Sequence, residues 1–76
     1  MKQKRISEIV AEIAGKPVNI ATDESLFETG LLDSFALTDL IAKLETEYGI
    51  RVPDSDLNPR KFDTLDKIAA YVEEKH

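Results

Sequence analysis

Asp33 and Ser34 are the residues of this chain that best suit a chemical role, in residue type and in position. They follow a long irregular stretch and directly precede an apolar pattern with helical spacing, so Asp33 is predicted to cap a helix beginning near Ser34. The N–H groups of a first helical turn lack intrahelical partners, and the helix dipole is positive there, which suits a phosphate ester on the Ser34 hydroxyl. The hydroxyl has no base of its own, so another enzyme would have to attach that group. A capping role alone would also account for both residues.

Other candidate chemistry finds little support. His76 is the only histidine and is the last residue, where chains fray, so a Ser-His-Asp triad is not expected. The run 54–58 begins like a calcium loop, but Pro59 stands where the sixth position requires Gly, and Leu65 stands where the twelfth requires Glu. Cysteine is absent, and the three glycines are too scattered for a phosphate-binding loop. We therefore expect no metal site and no active site of the chain's own.

Charge and composition narrow the class of protein. The chain has 76 residues, 42% hydrophobic and 33% charged, which is typical of one small globular domain over residues 1–76. The net charge of −5 argues against a nucleic-acid partner. Residues 23–56 carry nine acids and two bases, which suits docking to basic partner surfaces, although an acidic surface also keeps a small protein in solution. No apolar run is long enough to span a membrane, and we expect a cytoplasmic monomer.

Three amphipathic helices must position these residues. Apolar residues recur with helical spacing in three stretches, at Ile6, Ile9, Val10 and Ile13, at Leu37, Leu40, Ile41, Leu44 and Tyr48, and at Leu65, Ile68, Ala69 and Val72. Gly15 and Pro17 should end the first helix, and Gly49 should end the second. Asp63 or Thr64 should cap the last helix, because either side chain can accept a hydrogen bond from a first-turn N–H group.

Two irregular stretches connect these helices. Residues 17–33 form a long first loop that must be held to the core by its apolar side chains, Ile20, Leu26, Phe27, Leu31 and Leu32. The stretch 53–62 is broken by Pro59 and holds at most one or two helical turns. No pair of strands is found. The prediction is an all-α, four-helix bundle with three main helices, one short helix and a long first loop.

An ordered set of short motifs runs from Leu26 to Val72. It consists of a Leu-Phe-x-x-Gly approach, Asp-Ser followed by an apolar residue, an acidic amphipathic helix, Glu-Tyr-Gly-Ile-x-Val-Pro-Asp, and an apolar–Thr-Leu element before the final helix. This set resembles the acyl carrier protein family, small helical bundles that carry acyl intermediates between enzymes. The resemblance implies that Ser34 carries 4′-phosphopantetheine, whose terminal thiol holds the acyl group.

The resemblance also implies a set of partners and a surface that meets them. The partners would be a phosphopantetheinyl transferase, an acyl- or aminoacyl-loading ligase, and condensing or acyltransferase enzymes. Basic residues of these enzymes would meet the acids of the second helix. The residues expected in recognition are Asp33, Phe35, Leu37, Asp39, Leu40, Glu45, Glu47, Asp54 and Asp56.

Three positions depart from the carriers of fatty-acid synthesis. Phe35 stands where those carriers usually have Leu, Ala36 where an acid is common, and Ala42 where a methionine is frequent. These differences favour a specialised carrier in a fatty-acid, lipid or polyketide pathway. Because Leu-Leu-Asp-Ser-Phe also occurs in carriers of amino acids, a free-standing aminoacyl or peptidyl carrier of the D-alanyl type is the alternative. A third interpretation is an acidic helical adaptor without a prosthetic group, which would tolerate Ser34→Ala.

Overall fold

The computed structural model describes residues 2–75, with side chains from residue 4 onward. Its elements are helices α1 (Lys2–Ala14), α2 (Ser34–Tyr48) and α3 (Leu65–Lys75), with two 3₁₀ turns, Asp54–Asp56 and Pro59–Phe62, between α2 and α3. Residues 2–75 contain no strand. The predicted all-α bundle with a long first loop is therefore confirmed, and the predicted short helix is divided into two 3₁₀ turns. None of the described helices is both long and apolar enough to cross a membrane.

Both ends of α2 are fixed by the residues that the sequence indicates. The Asp33 carboxylate accepts a hydrogen bond from the Ala36 N–H at 2.8 Å, which satisfies one donor of the first turn. Gly49 adopts a left-handed conformation with φ of 64° at the other end, and its N–H donates to the Glu45 carbonyl at 2.9 Å. The Asp33 cap makes Ser34 the first residue of α2.

Thr64 caps the start of α3. Its hydroxyl accepts a hydrogen bond from the Lys67 N–H at 3.0 Å. Asp63, the other residue that could have served, contacts the first loop instead. Its carboxylate accepts from the Ser25 hydroxyl, and its carbonyl accepts from the Leu26 N–H at 2.6 Å. Asp63 therefore joins the first loop to α3.

The core lies where the three helices and the first loop meet. Its largest fully buried side chains are Phe62, Ile6, Ile9, Leu26, Leu40, Leu44, Ile68, Val10 and Val72. All of these except Leu26 and Phe62 belong to the apolar patterns that predict the helices. Ile13 and Tyr48, which lie close to helix ends, are only partly buried. Each fully buried aliphatic or aromatic side chain stabilises the fold by about 1.5–3 kcal/mol relative to an exposed one.

The first loop is fastened to the rest of the molecule along its length. The five apolar residues expected to hold it are all buried or partly buried: Leu26, Leu32, Ile20, Phe27 and Leu31. The Asp66 N–H donates to the Thr22 carbonyl at 3.0 Å, and the Thr22 hydroxyl donates to the Asp66 carboxylate at 3.2 Å. Because the loop is held in this way, it fixes the position of Asp33 and Ser34 at the start of α2.

Candidate functional site

Ser34 lies at the exposed N-terminal end of α2. The residue before it, Asp33, has an extended backbone with φ of −126° and ψ of −177°. One Asp33 carboxylate oxygen is bound to the Ala36 N–H, so the side chain is committed to the helix cap. Residues 4–75, whose side chains are described, include no histidine that could act as a base on the hydroxyl.

The electrostatic environment of this helix end favours an anion. The first turn of α2 contains no acidic residue of its own. Its N–H groups point out of the helix end, and the helix dipole places partial positive charge there. A phosphate ester on a first-turn hydroxyl would therefore be stabilised by the backbone itself.

Phe35 presents an aromatic ring to solvent beside Ser34. Its side chain is 86% exposed, and the other large hydrophobic residue exposed among those described is Leu57, at 45%. A side chain this exposed contributes little to the stability of the fold, because the hydrophobic effect acts only on surface removed from water. Phe35 is therefore available for apolar contact with another molecule.

Leu37 and Leu40 face inward, which corrects the expectation that both meet partners. Leu40 has no exposed surface, and Leu37 is 8% exposed. The reason is their spacing, since both belong to the stripe of α2 that packs on the core. Leu40 is therefore removed from the expected recognition surface, and Leu37 reaches the surface only as part of a groove wall.

The acids expected on the recognition surface divide into two groups. Asp39 and Asp54 are exposed. Glu47 is engaged within the molecule, because its carboxylate accepts a hydrogen bond from the Arg5 guanidinium at 2.6 Å. This contact joins α1 to α2 and lowers the pKa of Glu47. Arg5 also forms an ion pair with Glu8 at 3.3 Å, so it is shared between two carboxylates.

Glu45 and Asp56 are engaged within the molecule as well. One Glu45 carboxylate oxygen accepts from the Val52 N–H at 2.9 Å. Asp56 accepts from the Lys61 ammonium at 2.8 Å and from the Tyr71 hydroxyl at 2.7 Å, and these two hydrogen bonds lower its pKa. Burial, together with the hydrogen bond to Asp56, raises the pKa of Tyr71 to about 12. These acids are therefore less available to a partner than Asp39 and Asp54.

Two grooves run along α2. The smaller has a volume of about 200 Å³ and is lined by Leu37, Thr38, Ile41, Ala42, Glu45 and Leu57. The larger has a volume of about 610 Å³, lies between α1 and α2, and is lined by Glu12, Ile13, Asp39, Ala42, Lys43 and Thr46. An ion pair between Lys43 and Glu12, at 3.5 Å, joins the two walls of the larger groove. The small side chain at Ala42 borders both.

The sequence matches a known family over most of its length. Residues 4–72 fit the family model described as "Phosphopantetheine attachment site". The chain belongs to this family. The prosthetic group of this phosphopantetheine carrier domain is a covalently attached 4′-phosphopantetheine, as the resemblance to acyl carrier proteins implies.

Several relatives of this phosphopantetheine carrier are identical to it at more than a third of the aligned positions. The D-alanyl carrier protein of Leuconostoc mesenteroides is 37% identical over 71 residues, which cover 93% of this chain and 91% of the relative. The D-alanyl carrier protein of Lacticaseibacillus casei is 37% identical over 70 residues, covering 91% of this chain and 86% of the relative. D-alanyl carrier protein 1 of Lactiplantibacillus plantarum is 38% identical over 65 residues, covering 86% and 81%. The similarity therefore extends across nearly the whole carrier domain.

The structure also bears on the other groups considered from the sequence. His76 lies outside the described residues. Among the residues that are described, no group of three or more acidic or histidine side chains could hold a metal ion, and this includes the run 54–58.

Sequence reasoning did not identify three residues that shape the surface around α2. Arg5 and Glu47 lie 42 positions apart, and no local pattern indicates that they pair. Tyr71 could have been found, because it lies three residues after Ile68 and so extends the apolar stripe of α3. Leu57 stands in a stretch without periodicity, which gave no signal for its exposure.

Proposed function

We propose that this phosphopantetheine carrier holds D-alanine, and that its prosthetic group is attached to Ser34. The observation that carries the proposal is the similarity to proteins named D-alanyl carrier protein, at 37–38% identity over most of both chains. This observation supports the aminoacyl alternative better than a fatty-acid, lipid or polyketide pathway. A plain helical adaptor has no support from a family defined by its attachment site.

The N-terminal end of α2 fits the prosthetic group. Ser34 is exposed and would hold the phosphate as an ester. The N–H groups and the dipole of the first turn would stabilise the phosphate charge, and the Asp33 cap keeps this helix end in place. When bound, the group supplies a terminal thiol to which the alanyl group is joined as a thioester. Because the chain has no cysteine, that thiol has no competitor within it.

Other enzymes would attach and load the prosthetic group, because the described residues offer the Ser34 hydroxyl no histidine base. No histidine is present in residues 4–75, and Asp33 is committed to the cap, so this chain does not activate its own hydroxyl. A phosphopantetheinyl transferase therefore attaches the group, and an aminoacyl-loading ligase supplies D-alanine. The chain acts as a carrier rather than as an enzyme, and an acyltransferase that accepts the alanyl group would receive the cargo.

The small groove beside α2 has room for a small cargo. Its volume of about 200 Å³ corresponds to the liquid volume of roughly six or seven water molecules. Leu37 and Leu57 on its walls are apolar, and the groove is partly open to solvent. An alanyl group needs no shelter from water, whereas a long acyl chain would be left partly exposed here.

The recognition surface that we propose is smaller than the sequence alone suggests. It keeps Asp33, Phe35, Asp39 and Asp54, which are all exposed. A matching partner would offer an apolar pocket for Phe35 and basic side chains for the acids. Exposed charge pairs contribute only about 0–1 kcal/mol each, so the complex would form and separate readily, as a shuttle between enzymes requires.

The proposal can be tested by measuring intact mass in two steps. The unmodified chain is incubated with coenzyme A and a broad-specificity phosphopantetheinyl transferase, and the product is then given D-alanine, ATP and a D-alanine-activating ligase. We expect one phosphopantetheine per chain, followed by one alanyl group. Ser34→Ala should abolish both additions. Ser55→Ala is the matched control, because Ser55 is also exposed but lies within a 3₁₀ turn.

Each step can contradict the proposal separately. If Ser34→Ala still gained the prosthetic group, the attachment site would be elsewhere. If the wild-type chain gained the group but rejected alanine from an active ligase, the carrier role would stand and the D-alanyl cargo would not. If the wild-type chain gained nothing from an active transferase, an adaptor without a prosthetic group would be the better interpretation.

A further inference from the structure

Residues 53–57, called the connecting segment below, run between α2 and α3 and include the first 3₁₀ turn. This turn buries none of its own residues, in contrast to the second 3₁₀ turn, which buries Phe62. Hydrophobic burial therefore contributes little to holding the connecting segment in place. Its position depends on polar contacts and on the buried residue just before it, Val52.

Two carboxylates within the molecule provide those polar contacts. The Glu45 carboxylate, on α2, accepts from the Val52 N–H at 2.9 Å, directly before the segment begins. Within the segment, Asp56 Oδ1 accepts from Lys61 Nζ at 2.8 Å and Oδ2 accepts from the Tyr71 hydroxyl at 2.7 Å. Both oxygens of Asp56 are thus bound by donors on two other elements. Asp56, Lys61 and Tyr71 are called the Asp56 cluster below.

The Asp56 cluster is firmly supported on its α3 side. Tyr71 is 9% exposed, and its ring packs against the Phe62 ring with centroids 4.9 Å apart at 58°. The Lys75 ammonium lies 5.6 Å from the centroid of the Tyr71 ring. The Asp56 side chain is only 15% exposed, so water has little access to it. The cluster therefore connects a segment that has no buried residue to a helix that is packed on the core.

Leu57 is the residue whose position depends most directly on this connection. It follows Asp56 in the chain, and its N–H donates to the Asp54 carbonyl at 3.1 Å. Its side chain is 45% exposed and forms one wall of the small groove, opposite Leu37 and Ile41 of α2. The width of that groove is therefore set by where the connecting segment is held.

We propose that the connecting segment is a releasable wall of the small groove, and that Asp56 is the positioning residue that holds it in place through Lys61 and Tyr71. When the Asp56 cluster is broken, the segment moves away while the three helices stay folded, because no buried side chain has to leave the core. Leu57 moves with the segment, and the groove widens. That the widened groove affects a bound cargo rests on the proposed function, whereas the movement of the segment does not.

The absence of cysteine allows a direct measurement of this movement. Ser55→Cys places a nitroxide label at the exposed middle of the first 3₁₀ turn, and Thr46→Cys places one at an exposed position of α2. Electron paramagnetic resonance spectra of each labelled chain are recorded in four backgrounds, namely unchanged, Asp56→Asn, Tyr71→Phe and Asp54→Asn. Asp54→Asn is the matched control, because it removes one negative charge from an exposed position in the same turn.

We expect the label at position 55 to lose its slow component in Asp56→Asn and in Tyr71→Phe, and to keep it in Asp54→Asn. The label at position 46 should be unchanged in every background. The proposal is overturned if the label at 55 stays slow in both cluster variants, if Asp54→Asn mobilises it equally, or if the label at 46 loosens to the same degree. These spectra need no prosthetic group, so a chain that failed to accept phosphopantetheine would defeat the proposed function and leave this result standing.

Discussion

The N-terminal end of α2 and the Asp56 cluster use their polar side chains in opposite ways. At the end of α2, Ser34 and Asp33 are exposed, and the ring beside them is 86% exposed. In the Asp56 cluster, both carboxylate oxygens are bound and the tyrosine that binds one of them is 9% exposed. The first region leaves its side chains accessible to other molecules, and the second holds the connecting segment in place. The acidic residues of this small domain therefore do not all have the same role.

Substitutions of Leu40 and Phe35 should have the largest and most different effects. Both belong to the recognition set expected from sequence, but Leu40 is fully buried and Phe35 is not. Leu40→Ala should lower the free energy of unfolding by about 2–5 kcal/mol, a large share of what a small domain possesses. Phe35→Ala should leave it nearly unchanged and should raise KM for the transferase and the ligase. Urea unfolding and steady-state kinetics check the two variants, and equal stability losses would contradict this division.

Tyr71 links the Asp56 cluster to pH. Its pKa is raised from 10.0 to about 12 in the folded protein, so the unfolded chain releases the phenol proton at lower pH than the folded one. The stabilisation is therefore fully present below pH 10 and is lost as pH rises to about 12. We expect the difference in unfolding free energy between wild type and Tyr71→Phe to shrink over that range. A difference that stayed constant would show that the phenol is not held in its neutral form.

Asp33 tests whether the functional end of α2 is also structurally held. Asp33→Ala removes the hydrogen bond to the Ala36 N–H and should cost about 1 kcal/mol of stability. Asp33→Asn keeps a capping oxygen and should restore most of it. Thermal unfolding measures both, and the transferase rate with each variant separates the cap from the charge. Rescue of stability without rescue of the rate would assign the charge to recognition.

The two groups of acids give the smallest expected effects. Asp39→Lys should weaken association with the transferase, and more at low salt than at high salt, because exposed charges are screened. Glu47→Lys should instead weaken the contact between α1 and α2, since Glu47 is already bound to Arg5 at 2.6 Å. Both effects should be small, because exposed charge pairs contribute little to binding or stability. Rates of association with the transferase are measured across a salt series for both variants. If Asp39→Lys and Glu47→Lys responded to salt identically, the two groups of acids would not differ in role.

Much of the fold could be predicted from local patterns. The stripes around Ile9, Leu40 and Ile68 correctly predict three helices, because their periodicity is a property of neighbouring residues. Gly49 and Asp33 are correctly assigned to the ends of α2, since capping also depends on a few adjacent positions. The stretch 53–62 is correctly predicted to be broken at Pro59 and to hold no more than two helical turns, although the sequence did not indicate that both are 3₁₀ turns.

The candidate site was predictable in position but not in detail. The sequence places Ser34 at a helix start, and the structure agrees. It does not separate Asp39 from Glu47, since the partner of Glu47 is Arg5, on a helix distant in sequence. The apolar stripe that predicts α2 includes Leu40 and not Phe35, so the burial of Leu40 could have been predicted, although Leu40 was also among the residues expected in recognition.

A competition experiment can show whether this phosphopantetheine carrier holds D-alanine on Ser34. The chain bearing its prosthetic group is offered D-alanine, L-alanine and a medium-length fatty acid together, with ATP and an activating ligase for each. Mass spectrometry of the peptide containing Ser34 then reports the cargo, and digestion of the released acid with a D-specific oxidase reports its handedness. We expect a D-alanyl group on that peptide in clear excess over both competitors. A fatty acyl group in excess, or an alanyl group on a peptide without Ser34, would contradict it.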